Sequence, residues 1–370
     1  MLERLYVNNF RCLVNFELKL DRINLLLGVN GSGKSSAFDV LRKIQDFIIG
    51  DALVSDVFKS NDKTLWLKLD LQHFEMDISM DSDIYTYTLD IQHDEETKKP
   101  IVAKEELSMN GKPLFVYSDG IAHLYRDDHT LGQEYPLNKT RSGVGYLDEY
   151  KDRKLLARFK RELDRFIIVR PMPLIMEKRS LDDDIWLDEM MENFPSWYRY
   201  VSSSDGELAS RLRSELSDIL PGFRSLDFSL LGENAKRLKV SFDSQDGIKL
   251  TLPFAKLSDG QKMLIALYAL LVFSSLQEKK ISLFIDEPDN FLALREIQPW
   301  LSSLIDECGD TIEQAVLISH HPGMIDYLGG DGYGLWFMRQ GTGPVRVSKE
   351  PKQIIDGLSL SETIARGWEE

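Results

Sequence analysis

Only two cysteines occur in the 370 residues, Cys12 and Cys308, far apart and without the spacing of a metal-binding pair. That argues against a disulfide framework or a zinc site and fits a reducing cytosol. Long apolar runs are missing as well: none approaches the roughly 20 residues that span a bilayer. The expectation is a cytoplasmic protein with no membrane partner. Residues 1–10 lack a basic region followed by an apolar block, so they do not read as a signal peptide. Positive charge is in deficit, with 45 Lys and Arg against 60 Asp and Glu and a net charge of −15. Phosphate neutralisation drives DNA affinity, so a protein that coats DNA usually presents a basic surface. Contact with DNA, if made, would come from a local patch or a partner. Sustained heptads are absent, which excludes a long coiled-coil arm. Internal repeats and low-complexity tracts are absent too.

What is present is a globular composition, 43% hydrophobic and 28% charged. The length suits one large α/β core with insertions, or two ordinary domains. Near the start, residues 2–7, 15–20 and 23–27 read as strands. Ala37, Val40, Leu41, Ile44, Phe47 and Ile48 then recur at the three- and four-residue spacing of one helix face. Residues 64–125 read as an antiparallel meander. Leu65, Leu67, Leu69 and Leu71 alternate with polar residues, as do Phe74, Met76, Ile78 and Met80, and then residues 85–91. Asn110 and Gly111 form a hairpin turn, and residues 128–147 read as a loop. From 148 to 220 the pattern is helical and charged. Leu155, Leu156, Phe159 and Leu163 line one helix, 166–169 is a buried strand, 182–192 is acidic, and Leu208, Leu212 and Leu216 mark another helix. Strands at 223–231, 236–242 and 248–252 follow, with turns at 232–234 and 244–247.

The clearest chemistry lies in Gly28, Val29, Asn30, Gly31, Ser32, Gly33, Lys34 and Ser35, which satisfy the phosphate-loop pattern G-x-x-x-x-G-K-S/T in full. Glycines let backbone N–H groups turn inward around phosphates, with a helix N-terminus behind them. Lys34 would reach the β- and γ-phosphates and the Ser35 hydroxyl would hold Mg²⁺, with Ser36 next on the helix. A chance match is expected in roughly 1% of chains this long. A second element is the apolar strand 281–285 ending in Asp286 and Glu287. Beside a phosphate loop, Asp286 would complete the Mg²⁺ shell and Glu287 would polarise a water for attack on the γ-phosphate. A third is Leu257, Ser258, Asp259, Gly260 and Gln261, where Ser258 suits the N-cap of an apolar helix over 263–276. Alone, that segment reads as a capped core helix.

Taken together, these motifs resemble the ATP-binding-cassette superfamily. Residues 257–261 are similar to its signature, Asp286, Glu287 and Pro288 to its Walker B ending, and His320, after Ile318 and Ser319, to its switch histidine. Among its branches the likeness is to heads of the RecF, SMC and OLD type. Those open with a strand followed by Asn-Phe-Arg, here Asn9, Phe10 and Arg11, and carry a split insertion, here about 60–235. The resemblance covers 1–50 and 220–325. It departs from the family at Asp259, where glycine is usual. The Q-loop glutamine has two candidates, Gln72 and Gln133, without diagnostic surroundings, and the D-loop falls at 289–297. His321 is less suited than His320 by register with Pro322.

The resemblance implies an α/β fold: an ABC-ATPase head whose P-loop core is a mixed, mainly parallel sheet flanked by helices, with an antiparallel β subdomain and a helical insertion. Expected boundaries are an N-terminal lobe at 1–147, the insertion at 148–222 and a C-terminal lobe at 223–370. It implies ATP and Mg²⁺ as cofactors and an ATP-dependent homodimer. In that dimer Ser258 and Gly260 of one copy complete the γ-phosphate site of the other, His320 senses the γ-phosphate, and Arg11 contacts phosphates. OLD-like nucleases carry a further nuclease domain, for which too few residues follow His320. A separately encoded effector, a nuclease or toxin in bacterial anti-phage defence, is the implied partner. The competing readings are a RecF-like head that binds DNA directly, a transporter cassette and a non-hydrolysing scaffold. The stretch 151–165 holds seven basic and three acidic residues and reads first as a solvated amphipathic helix. The acids at 182–192 read as a solvated or partner-facing surface. Arg170 and Arg179 acquire no role.

Overall fold

The computed structural model describes residues 1–94, 99–147, 153–177, 180–204, 206–231, 235–243, 249–329, 332–349 and 359–365. Turns expected at 232–234 and 244–247, and Lys151, Asp152 and Arg179, lie outside them. Two compact units divide the chain, Met1–Phe166 with Asp331–Glu370, and Ile167–Gly330.

In the first unit an eight-stranded antiparallel sheet runs in the order Phe16–Lys19, Leu2–Asn8, Leu71–Met80, Asp83–His93, Pro100–Met109, Lys112–Ser118, Ile121–Tyr125, Leu131–Pro136. Period-2 alternation sets its register. Phe74 opposes Leu89, Met76 opposes Tyr87 and Ile78 opposes Tyr85, and all six are buried. The turn at Asn110 and Gly111 has both φ values positive, 51° and 75°, as a two-residue hairpin of this twist requires. Helix Lys154–Asp164 packs Phe159 against the rings of Tyr85 and Tyr87, at 6.3 and 5.8 Å. Its Arg158 pairs with Asp81 and Asp83, so part of that helix's positive charge is matched within the fold.

Two expectations are corrected in this unit. Residues 64–70 are not a strand: Leu65 is 94% exposed, and the chain enters the sheet only at Leu71. The Asn9 carboxamide takes the backbone groups a partner strand would have taken. It donates to the carbonyls of Leu69 and Leu71 and accepts from the N–H of Thr64. Residues 128–147 are not all loop, since strand Leu131–Pro136 closes the sheet and a short helix spans Gly143–Tyr146. That strand is an edge with little burial, so it carries no alternation to read.

The same unit holds Ile23–Leu27, parallel to Gly334–Arg339, which pairs in turn antiparallel with Val345–Ser348. Helix Lys34–Ile48 buries the six apolar residues the periodicity selects.

The second unit contains the parallel strands Ile281–Asp286 and Ile312–Ile318. It also has an antiparallel sheet of Phe223–Leu231, Ala235–Asp243 and Lys249–Pro253, and helices Phe194–Ser204, Gly206–Ile219, Asp259–Leu276 and Leu294–Glu307. The chain is thus of the mixed α/β class. Helix Asp259–Leu276 is long and apolar enough to cross a bilayer by length and composition, yet 67% of it is buried within the protein. Its apolar surface is core: the Trp300 indole N–H donates to the carbonyl of Leu267 at 3.1 Å.

Candidate functional site

The first group of candidate residues sits where Ile23–Leu27 ends and helix Lys34–Ile48 begins. Gly28, Gly31 and Gly33 hold φ of 137°, 79° and 102°, conformations open to glycine and strained for other residues. Close approach requires two of them. A Cβ on Gly28 would lie 2.4 Å from the carbonyl oxygen of Phe337, and one on Gly33 would lie 2.9 Å from Cys12 Sγ. Gly33 caps the helix without a side-chain bond and the first turn holds no acid. The N-terminal amides and their partial positive charge therefore face outward with no built-in anion. Asn30, Gly31 and Ser35 are exposed, Ser36 is half-buried and Ser32 is buried. Lys34 is buried, its ammonium donating to the carbonyls of Gly28 and Val29 at 2.7 and 3.1 Å. The cation is thereby held inside the curve of the loop.

Arg11 lies in a left-handed conformation, φ 47°. Its guanidinium pairs with Asp39 and, at 3.3 Å, with Asp62. Burial works against that cation, and the two carboxylates outweigh it and raise its pKa. Arg11 and Asp62 border a cavity of about 580 Å³ that also takes in Lys43, Asp46 and Lys59.

The second group lies on Ile167–Gly330. Strand Ile281–Asp286 is wholly buried and delivers Asp286, 4% exposed, at its end. Glu287 follows with φ of 55°, a left-handed turn that is costly away from glycine. Its N–H donates to the carbonyl of Ile318 at 2.8 Å, tying this strand end to the one that leads to Ser319 and His320. One oxygen of Glu287, Oε2, accepts from Arg170 Nη2 at 3.0 Å and from Asn290 Nδ2 at 2.7 Å. Asp289 is buried, and that burial pushes its carboxyl up against the opposing hydrogen bond from Ser319. His320 is exposed, whereas His321 accepts from the N–H of Gly323 and caps a short helical turn. Among the described residues no three His, Cys, Asp or Glu side chains are gathered as a metal site.

Ser258 is the N-cap of helix Asp259–Leu276. Its hydroxyl accepts from the N–H of Gln261, and the Gln261 side chain accepts from the N–H of Ser258 in return. Gly260 allows close packing, since a Cβ there would meet the carbonyl oxygen of Phe291 at 2.8 Å. The turn after Glu287 thus comes up against the first turn of this helix. Gln72 is buried between the Asn9 carbonyl, to which it donates, and His93. Gln133 lies on the edge strand, bonded to Arg153.

Three contributors escaped the sequence reading. Arg170 follows the strand Phe166–Val169, and an Arg-Pro pair after a buried strand was the available signal. Asn290 stands three residues after Glu287, the reach of a turn. Arg339 donates to the carbonyl of Gly31 at 3.0 Å from strand Gly334–Arg339, more than 300 residues away along the chain, and no local pattern links the two.

Two family models match in tandem. Residues 1–113 match the family described as "AAA ATPase domain". Residues 173–326 match "AAA domain, putative AbiEii toxin, Type IV TA system". No curated protein matches the chain. Among solved structures, the SMC head domain from Thermotoga maritima is similar over 95% of this chain and 99% of that one, at 13% identity and a TM-score of 0.48. A likeness so distant carries neither mechanism nor fold across. Both matched stretches are similar to ATPase-domain families, the first holding residues 28–35 and the second Asp286 and Glu287.

Proposed function

We propose that the chain binds and hydrolyses ATP with Mg²⁺, and that ATP-dependent pairing of two copies gates a separately encoded effector. The observation that carries the reading is the loop at 28–35. It has three glycines at positive φ, a buried lysine and a helix N-terminus without a side-chain cap. That donor set fits a triphosphate: helix N-terminal amides without a side-chain cap, one ammonium and an exposed Ser35 hydroxyl.

In this scheme residues 30–36 cradle the phosphates and Lys34 neutralises the charge that grows on the leaving group. Ser35 and Asp286 would hold Mg²⁺, which would supply Lewis-acid stabilisation of phosphate charge. Glu287 accepts hydrogen bonding from the attacking water and orients it. His320, exposed at the end of its strand, senses the γ-phosphate, and Arg11 contributes a further cation. Ser258 and Gly260 serve the site of the second copy. We assign the chain to the cytoplasm and its role to bacterial anti-phage defence. The family over 173–326 carries a toxin–antitoxin description, which fits an effector-linked role. The net charge of −15 favours this over direct DNA binding of the RecF kind.

Replacing Glu287 with Gln is expected to leave ATP bound and unhydrolysed, and so to accumulate a dimer in light scattering at saturating ATP. A monomer under those conditions would sink the dimer scheme. ATP-dependent binding of duplex DNA with a steep salt slope would instead favour the RecF-like reading.

A further inference from the structure

Glu287 is held in an unusual way. Asp286, Glu287 and Asp289 place three carboxyl groups within four residues, and the backbone at Glu287 is turned left-handed, φ 55°. Like charges so close would drive an unrestrained glutamate side chain out toward water. The cation that opposes this is Arg170, whose Nη2 lies 3.0 Å from Glu287 Oε2. Asn290 holds the same oxygen at 2.7 Å. Two donors on Oε2 leave Oε1 as the acceptor through which the carboxylate can engage a water.

Arg170 is itself anchored. Its N–H donates to the carbonyl of Glu189 at 2.7 Å, and the following chain is tied at Met172 to Met190 and at Glu177 to Glu192. Its Nε is buried without a hydrogen-bond partner, so the guanidinium is placed in a semi-enclosed position at the cost of one donor. An arginine present only to solubilise the surface would not accept that cost. We propose that Arg170 is a positioning residue for hydrolysis: together with Asn290 it clamps Glu287 Oε2 and so aims Oε1 at the attacking water.

This inference rests on the reading of Glu287 as the water-orienting carboxylate, and the experiment separates the two. Single-turnover hydrolysis of labelled ATP with protein in excess is measured for the wild type, Glu287→Gln, Arg170→Ala and Arg170→Lys. ATP affinity and thermal midpoint are measured on the same samples. Misaiming a reacting group by about 1 Å lowers a rate by roughly 100-fold. Arg170→Ala is therefore expected to hydrolyse about 10- to 100-fold more slowly, with ATP affinity within about twofold of the wild type. Arg170→Lys should recover part of the loss, and added guanidinium should recover part of the Arg170→Ala rate. A merely structural arginine would lower the thermal midpoint and the affinity together and would not respond to guanidinium; that result overturns the proposal. If Glu287→Gln hydrolyses normally, or the wild type does not hydrolyse at all, the underlying reading fails and the proposal falls with it. If Glu287→Gln is dead while Arg170→Ala turns over at the wild-type rate, the clamp alone is refuted.

Discussion

Gly28 and Gly31 stand three residues apart in one loop, both at positive φ, yet replacing each with alanine should have different consequences. At Gly31, φ is 79° and an added Cβ meets nothing within 4 Å. The substitution therefore adds only left-handed strain, about 1–2 kcal/mol. At Gly28, φ is 137° and the Cβ would lie 2.4 Å from the Phe337 carbonyl oxygen and 3.0 Å from Ser32 Oγ. Backbone strain in such a region costs about 1–3 kcal/mol, and overpacking adds about 1–3 kcal/mol. The clash is not easily relieved, because Phe337 lies within strand Gly334–Arg339, paired to Ile23–Leu27 through Leu335 and Leu26. The two variants should thus differ by about 2.5 kcal/mol, roughly 50- to 100-fold in an equilibrium constant. If the loop conformation is what binds phosphate, this difference appears as weaker ATP affinity, since only the fraction of molecules with a formed loop can bind. Calorimetric titration with Mg-ATP, with circular dichroism to confirm folding, measures it directly. Equal affinities for Gly28→Ala and Gly31→Ala would refute the argument that the neighbouring strand shapes the loop.

Two further perturbations follow from the same kind of reasoning. Asp164 Oδ1 is buried without a partner, and burial raises its pKa from 3.8 to about 6. The carboxyl holds its proton more tightly when folded, so its contribution is full below about pH 4 and is lost as pH rises toward 6. With partial solvent access the loss is about 1–2 kcal/mol. The stability of Asp164→Asn relative to the wild type should therefore climb over that window in urea titrations and then level off; a pH-independent difference would contradict this. Ser258→Ala removes one arm of a capping box and should cost about 1 kcal/mol of stability. Under the dimer scheme hydrolysis should fall far more than that. A decline in activity no larger than the loss of folded protein would return Ser258 to the role of a helix cap.

Where a side-chain period met a buried face, the fold was legible. Phe74, Met76 and Ile78 announce a strand, and Ala37, Val40, Leu41 and Ile44 announce a helix, because each set has one face to hide. Leu65, Leu67 and Leu69 show the same alternation and form no strand. Period 2 says which side chains would share a face but not whether a face awaits them. Here the backbone is satisfied by Asn9, a contact from more than 50 residues earlier. Strands Leu131–Pro136 and Gly334–Arg339 fail for opposite reasons. The first is too exposed to alternate. The second is buried through Trp336 and Phe337, so its apolar run resembles any core segment.

The candidate site divides along a similar line. Lys34, Ser35, Asp286 and Glu287 can be proposed from sequence because the chemistry assigned to them needs fixed residue types at fixed short spacings. Arg170 and Arg339 act across 117 and 308 residues, and only the folded chain states that distance as a contact. Such partners are also chemically less constrained. Any side chain able to donate to a carboxylate oxygen or a loop carbonyl would serve, so no motif marks them. Under the proposed clamp, Arg170 and Asn290, which both bond Glu287 Oε2, are where a hydrolysis rate would be tuned while residues 28–35 are left intact.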